Sequence, residues 1–197
     1  DLSVSFSQSY YFNKTYDINA GINLSSTIIE IQDGYMVGGF VEIEGFRDAI
    51  TLLKIDFKGD TIWTKIYSEP LKTFIFPKIF QLQDSTIIVS GGIADTLGAK
   101  PDFMLMKFDK DGNFIWIKRY GDSGQNVIRN CIRTKDNGFM LIGIAEQFVN
   151  PPGYGDVYVV KTDNFGNIKW DTTYGTDNNY NAISTISSLT GDDYNIT

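Results

Sequence analysis

The chain has 197 residues, of which 14 are Phe, 11 Tyr and 3 Trp, enough apolar bulk for one sizeable core or two small ones, and its 42% hydrophobic and 21% charged content excludes wholesale disorder. Seventeen Lys and Arg against 24 Asp and Glu give a net charge of −7, which argues against a nucleic-acid partner held by phosphate neutralisation. With no His and a single Cys, Ser-His-Asp and Cys-His catalysis, His-ligated metals and an intramolecular disulfide are excluded.

No run reaches the roughly 18 consecutive apolar residues of a membrane span, and the opening DLSVSFSQ does not read as a basic-then-apolar leader. The first expected element is a strand over 4–16. Within it Phe12, Lys14 and Tyr16 are spaced as Trp63, Lys65 and Tyr67 are, and Phe12 precedes Trp63 by 51 residues. Such a strand has no neighbour of its own in sequence and reads as the outer strand of a sheet completed from elsewhere.

Three units follow, at 22–67, 74–120 and 127–174. In each, a Lys (54, 107, 161) is followed at fixed offsets by Asp (56, 109, 163), Gly (59, 112, 166), Trp (63, 116, 170) and Tyr (67, 120, 174). The Trp-to-Trp steps are 53 and 54 residues. Earlier in each unit an Asp turn (Asp33, Asp84, Asp136) leads into an apolar segment with Gly38 and Gly39, Gly91 and Gly92, or Gly143. Aspartates 48, 102 and 156 open the next strand, where a hydrogen bond to a neighbouring turn is the expected role. A fourth unit, 181–197, begins at Gly191-Asp192-Asp193 and stops inside an apolar segment.

Each unit reads as four strands. In the third they fall at 127–134, 139–146, 156–163 and 167–174, joined by Asp136-Asn137-Gly138, a long loop, and Asn164-Phe165-Gly166. Glycine supplies the positive φ that such tight turns need. Runs such as Phe103-Met104-Leu105-Met106 are those of strands covered on both faces, while the fourth strand alternates as an outer strand does. Cys131, in VIRNCIR, is expected to pack as a small hydrophobe. Four-stranded antiparallel units of about 53 residues, stacked so that each covers the next, predict an all-β chain with β-propeller blades. The expected whole is an incomplete ring: about three and a half blades plus an N-terminal strand that closes a blade supplied by a longer polypeptide. Closure removes exposed edges, and crowding between strands accounts for the strand glycines.

The phrases DFMLMKFDKDGNFIWIKRYGDSG and DVYVVKTDNFGNIKWDTTYG resemble the repeats of large secreted and cell-surface propeller proteins of Bacteroidetes-type bacteria. The resemblance runs from about residue 12 to 197, with departures at Tyr67-Ser68-Glu69-Pro70 and at Thr172, where Tyr-Gly and Lys are usual. It implies export to the cell surface, often through type IX secretion and its sorting machinery in regions beyond these residues. It also implies a noncatalytic scaffold, adhesion or binding role without a cofactor.

Other motifs have plainer readings. Asp109-Lys110-Asp111-Gly112-Asn113 imitates a calcium loop, but its sister turns lack the central carboxylate and a downstream Glu is absent, so hairpin chemistry is expected. Gly121-Asp122-Ser123-Gly124 imitates a protease nucleophile without any His to serve it. The tryptophans, at a fixed period, read as packing rather than as sugar platforms. Carboxylates at the ends of second strands, Glu42, Glu44, Asp95 and Glu146, leave a polysaccharide hydrolase or lyase as the alternative activity.

The within-hairpin turns are short and alike, whereas the links from second to third strand lengthen through 42–47, 95–101 and 147–155, and unit-to-unit links also vary. In an up-and-down sheet both variable sets emerge at one end, and binding groups concentrate on loops held by a rigid frame. The candidate ligand-binding residues there are Phe46, Arg47, Phe148 and Tyr154, facing a protein or glycan.

Overall fold

Alternation of β-branched and aromatic residues with Asp-Gly turns leaves strands as the regular elements. In the computed structural model, which describes residues 12–18, 23–43, 46–95, 99–121, 124–146, 155–175, 186–188 and 194–196, every such element is a strand. The first sheet holds β1 (Asn23–Ile31), β2 (Gly34–Ile43), β3 (Phe46–Ile55) and β4 (Thr61–Tyr67). The second holds β5 (Thr73–Gln81), β6 (Ile87–Ala94), β7 (Asp102–Phe108) and β8 (Phe114–Tyr120), and the third β9 (Gln125–Arg133), β10 (Phe139–Glu146), β11 (Gly155–Thr162) and β12 (Ile168–Tyr174). Each is an antiparallel meander in chain order. In the fourth unit β13 (Ile186–Ser188) and β14 (Tyr194–Ile196) pair antiparallel.

The strands expected in the third unit lie within two residues of those observed. The expected strand over 4–16 differs: residues 4–11 lie outside the described residues, and 12–18 carry no strand assignment. A strand is defined by its ladder, and no described neighbour pairs with this segment. Side chains hold it instead.

The turns between third and fourth strands share one design. Asp56 Oδ1 accepts the backbone N–H of Lys58 and of Asp60, both at 2.8 Å. Asp109 does the same for Asp111 and Asn113, and Asp163 for Phe165 and Asn167. The glycine three residues on has φ of +78° in Gly59, +77° in Gly112 and +75° in Gly166. Just beyond, the ladder shifts register at Lys54, Lys107 and Lys161, a bulge that follows from the left-handed glycine. At the second of these turns Asp109 Oδ2 also accepts from the Asn113 side chain, and the Asp111 carboxylate pairs with Lys110.

These turns are also where consecutive sheets lock. Trp63 of the first sheet lies against Gly112 of the second, so that an added Cβ would come 3.0 Å from the indole; Trp116 of the second lies against Gly166 of the third at the same separation. Lys65 Nζ donates to Asn113 Oδ1 at 3.2 Å and Lys118 Nζ to Asn167 Oδ1 at 3.0 Å. The Tyr120 hydroxyl donates to the Gly166 carbonyl at 2.8 Å. The N-terminal segment repeats this on the first sheet: Phe12 lies against Gly59, Lys14 Nζ donates to Asp60 Oδ1 at 2.5 Å, and the Tyr16 hydroxyl donates to the Gly59 carbonyl at 2.8 Å. Tyr67 departs from the scheme. Its hydroxyl donates to Glu69, within the segment where the sequence itself departs, and its ring stacks on Phe114 with centroids 4.8 Å apart.

The core lies between sheets. Met36, Ile50 and Leu52 of the first sheet meet Ile87, Val89, Met104 and Met106 of the second in one cluster. A second cluster joins Phe103 and Leu105 to Phe139, Leu141, Tyr158 and Val160 across the next seam, with Cys131 among them. The inner strands of the second and third sheets are buried on both faces; β6 is buried along its whole length. Burial pushes the Cys131 thiol up to about 12, so it packs as a small apolar group.

Candidate functional site

Because each sheet is a meander, all first and third turns fall at one end and all second links at the other. At the first end a Lys of the third strand reaches the Asp of the first turn: Lys54 Nζ to Asp33 at 2.7 Å, Lys107 to Asp84 at 3.9 Å, and Lys161 to Asp136 at 2.8 Å. That end is given over to structure. Asp136 is the most tightly held: Lys161, Lys169 and the Thr134 hydroxyl, in that order, keep its carboxyl far below the ordinary carboxylate range. The unfolded chain, with an ordinary value near about 4, therefore takes up the proton first as pH falls. The stabilisation is present above about pH 5 and drains away below it. An Asp136→Asn variant should be about 1–2 kcal/mol less stable at pH 7 and show a shallower fall in stability between about pH 5 and 3. Urea titrations at several pH values measure both.

The opposite end carries the variable links. Around the second sheet Lys72, from the link between sheets, donates to Asp95 Oδ1 at 2.5 Å, and Arg119 bridges Asp95 at 2.6 Å and Asp102 at 2.8 Å. The Asn126 N–H donates to the Pro101 carbonyl at 2.8 Å. Sheet-to-sheet and second-to-third-strand links thus meet at one end, as the loop lengths imply. This ion cluster was not legible in the sequence, since Lys72, Asp95 and Arg119 belong to no repeated position. Gly121 sits where an added Cβ would lie 2.3 Å from Asp102 Oδ1, and Gly175 stands likewise against Asp156. The glycine after the row tyrosine makes room for the aspartate that opens the third strand.

Phe46 and Arg47 lie at this variable end, at the start of β3, with Phe46 opposite Ile43 at the last rung of its ladder; their side chains are outside what is described. Phe148 and Tyr154 lie outside the described residues, as do Asp48's side chain, Asp122 and Ser123. Of the carboxylates raised for catalysis, Glu42 is exposed and Asp95 is tied to Lys72 and Arg119. Glu44 and the Glu146 side chain are outside the description. Lys72 and then Arg119 hold Asp95 below the ordinary range. Lys14 does so for Asp60, the Thr86 hydroxyl for Asp84, and the Asn113 N–H for Asp109.

An open groove of about 640 Å³ lies on the face of the first sheet turned away from the second, lined by Lys14, Tyr16, Thr27, Val37, Thr51 and Leu53 among others. By ladder position Val37, Thr51 and Leu53 correspond to Val89, Met104 and Met106 of the second sheet, which are packed against the first. No protein-family model matches the chain, and no curated protein is significantly similar to it.

Proposed function

We propose that these sheets are blades of a β-propeller and that the protein is a noncatalytic binding, adhesion or scaffold module displayed outside the cell, recognising a protein or glycan through its variable-loop end. One observation carries the reading: an aromatic-x-Lys pair seats on a single turn type at three successive seams, joined at two of them by a Tyr hydroxyl on the glycine carbonyl. Such a frame fixes one end for structure and leaves the other free to vary, which is how rigid scaffolds present binding loops. The groove on the first sheet supports the ring, because its lining is the counterpart of surfaces that neighbouring sheets cover elsewhere. The segment around 12–16 then serves as the outer strand of a blade whose other strands fill that groove. The resemblance of the repeats to exported propellers supports the extracellular location and the type IX route.

A glycoside hydrolase or lyase would need a carboxyl raised to serve as general acid, and the shifted aspartates here move downward. The test is a binding screen of the full chain against cell-surface polysaccharides and envelope proteins, paired with turnover assays. Phe46→Ala and Arg47→Ala should weaken binding, while Asp95→Asn and Glu42→Gln leave it intact and no sugar is released. Turnover abolished by either carboxylate change would replace this reading with the enzymatic one.

A further inference from the structure

The aromatic row on β12 ends the described series without a partner of the kind its predecessors have. Trp170 is 44% and Tyr174 56% exposed, whereas Tyr120, at the equivalent place one sheet earlier, is 3% exposed with its hydroxyl on the Gly166 carbonyl. Rows led by Phe12, Trp63 and Trp116 each lie on a left-handed glycine of an Asp-x-x-Gly turn. The Trp170 row has the same spacing and strand, with Trp170 opposite Lys161 as Trp116 is opposite Lys107.

We infer that the Trp170–Tyr174 face of β12 is a docking surface for one further sheet of this same repeat, which presents its Asp-x-x-Gly turn to the indole and its glycine carbonyl to the tyrosine hydroxyl. Three features define the partner's chemistry. The residue under Trp170 is a glycine, because in the three existing seams a Cβ there would come within 3.0 Å of the ring. That glycine holds a positive φ, near the +75° to +78° of its sisters, so its carbonyl turns toward the row. The residue after the glycine is free to vary, because Thr172 stands where Lys14, Lys65 and Lys118 reach across to Asp60, Asn113 and Asn167. The inference continues an interface already present in the chain. It needs only the stacking of sheets, not the closed ring or the binding role proposed above.

The test inserts a second copy of residues 68–121 between Gly175 and Thr176 of the full chain, so that the Trp170 row meets the Asp109–Asn113 turn of the inserted sheet. Hydroxyl-radical labelling read by mass spectrometry then reports each ring separately. Trp170 and Tyr174 should lose reactivity to the level of Trp116 and Tyr120, and a Gly112→Val change confined to the inserted copy should restore it. That variant's remaining strand signal and its labelling at native Trp116 verify that the chain is folded. The inference is overturned if Trp170 stays as reactive as in the parent although the inserted sheet folds, or if protection survives the valine. It is also overturned if Trp170 of the parent chain becomes protected with rising concentration, since a second copy would then be the occupant.

Discussion

Truncating Phe103 to alanine should lower the unfolding free energy by about 3–5 kcal/mol. The ring is fully buried at the seam between the second and third sheets, with its centroid 5.2 Å from that of Tyr158. In the same cluster are Ile128, Leu141 and Val160, from three adjacent strands of the third sheet. Strand backbones tied into ladders cannot close on the space left behind, so the cavity persists and adds to the lost transfer energy. A urea titration should show a lower midpoint with an unchanged slope. Phe165→Ala is the comparison: that ring is 62% exposed at a turn, and its loss should fall within about 0.5 kcal/mol of no effect. Equal midpoints for the two variants would mean that the seam carries little of the stability.

The periodic features were legible because each is local. The third turn of each sheet, which needs a positive φ, selects glycine, whereas in the first turns of the second and third sheets Ser85 and Asn137 take that conformation and Gly138 does not. An Asp that accepts two backbone N–H groups selects itself, and strands covered on both faces become continuous apolar runs. The row Trp-x-Lys-x-Tyr was equally visible, but its partner was not. Lys118 and Asn167 are 49 residues apart, and only the stacking of one sheet on the next brings them together. The same holds for the Lys72–Asp95–Arg119–Asp102 cluster, assembled from two links and the ends of two strands, of which only Asp102 holds a repeated position. Tyr67 marks the intermediate case. The sequence signals an irregularity at Ser68-Glu69-Pro70, but that the phenol turns to Glu69 instead of the Gly112 carbonyl depends on where that link places the carboxylate. Loop length points to the variable end but not to what binds there; Phe148 and Tyr154 lie outside the described residues, and of Phe46 and Arg47 only the backbone is described.

Gly143→Ala should cost about 3 kcal/mol, at the upper end of what overpacking usually does, although it adds one methyl group to a strand that the composition would tolerate. The reason lies in β9, whose ladder with β10 shifts between Ile142 and Gly143: Ile142 opposes Asn130 and Gly143 opposes Ile128. The bulge brings the Val127 carbonyl over Gly143, where an added Cβ would lie 2.1 Å from that oxygen and 2.7 Å from the Phe103 ring. An aromatic ring can tilt, but a carbonyl within a ladder moves only by breaking its own hydrogen bonds. Gly92→Ala is the control, since the nearest atom to its added Cβ is 3.5 Å away, an ordinary contact, and its φ is not in the left-handed region. That change should be neutral or stabilise by up to about 1 kcal/mol through the unfolded chain. The double variant Phe103→Ala with Gly143→Ala decides which neighbour sets the cost. If the carbonyl does, the two losses add to within about 0.5 kcal/mol. A double variant clearly more stable than that sum would assign the cost to the ring and leave the bulged carbonyl free to yield.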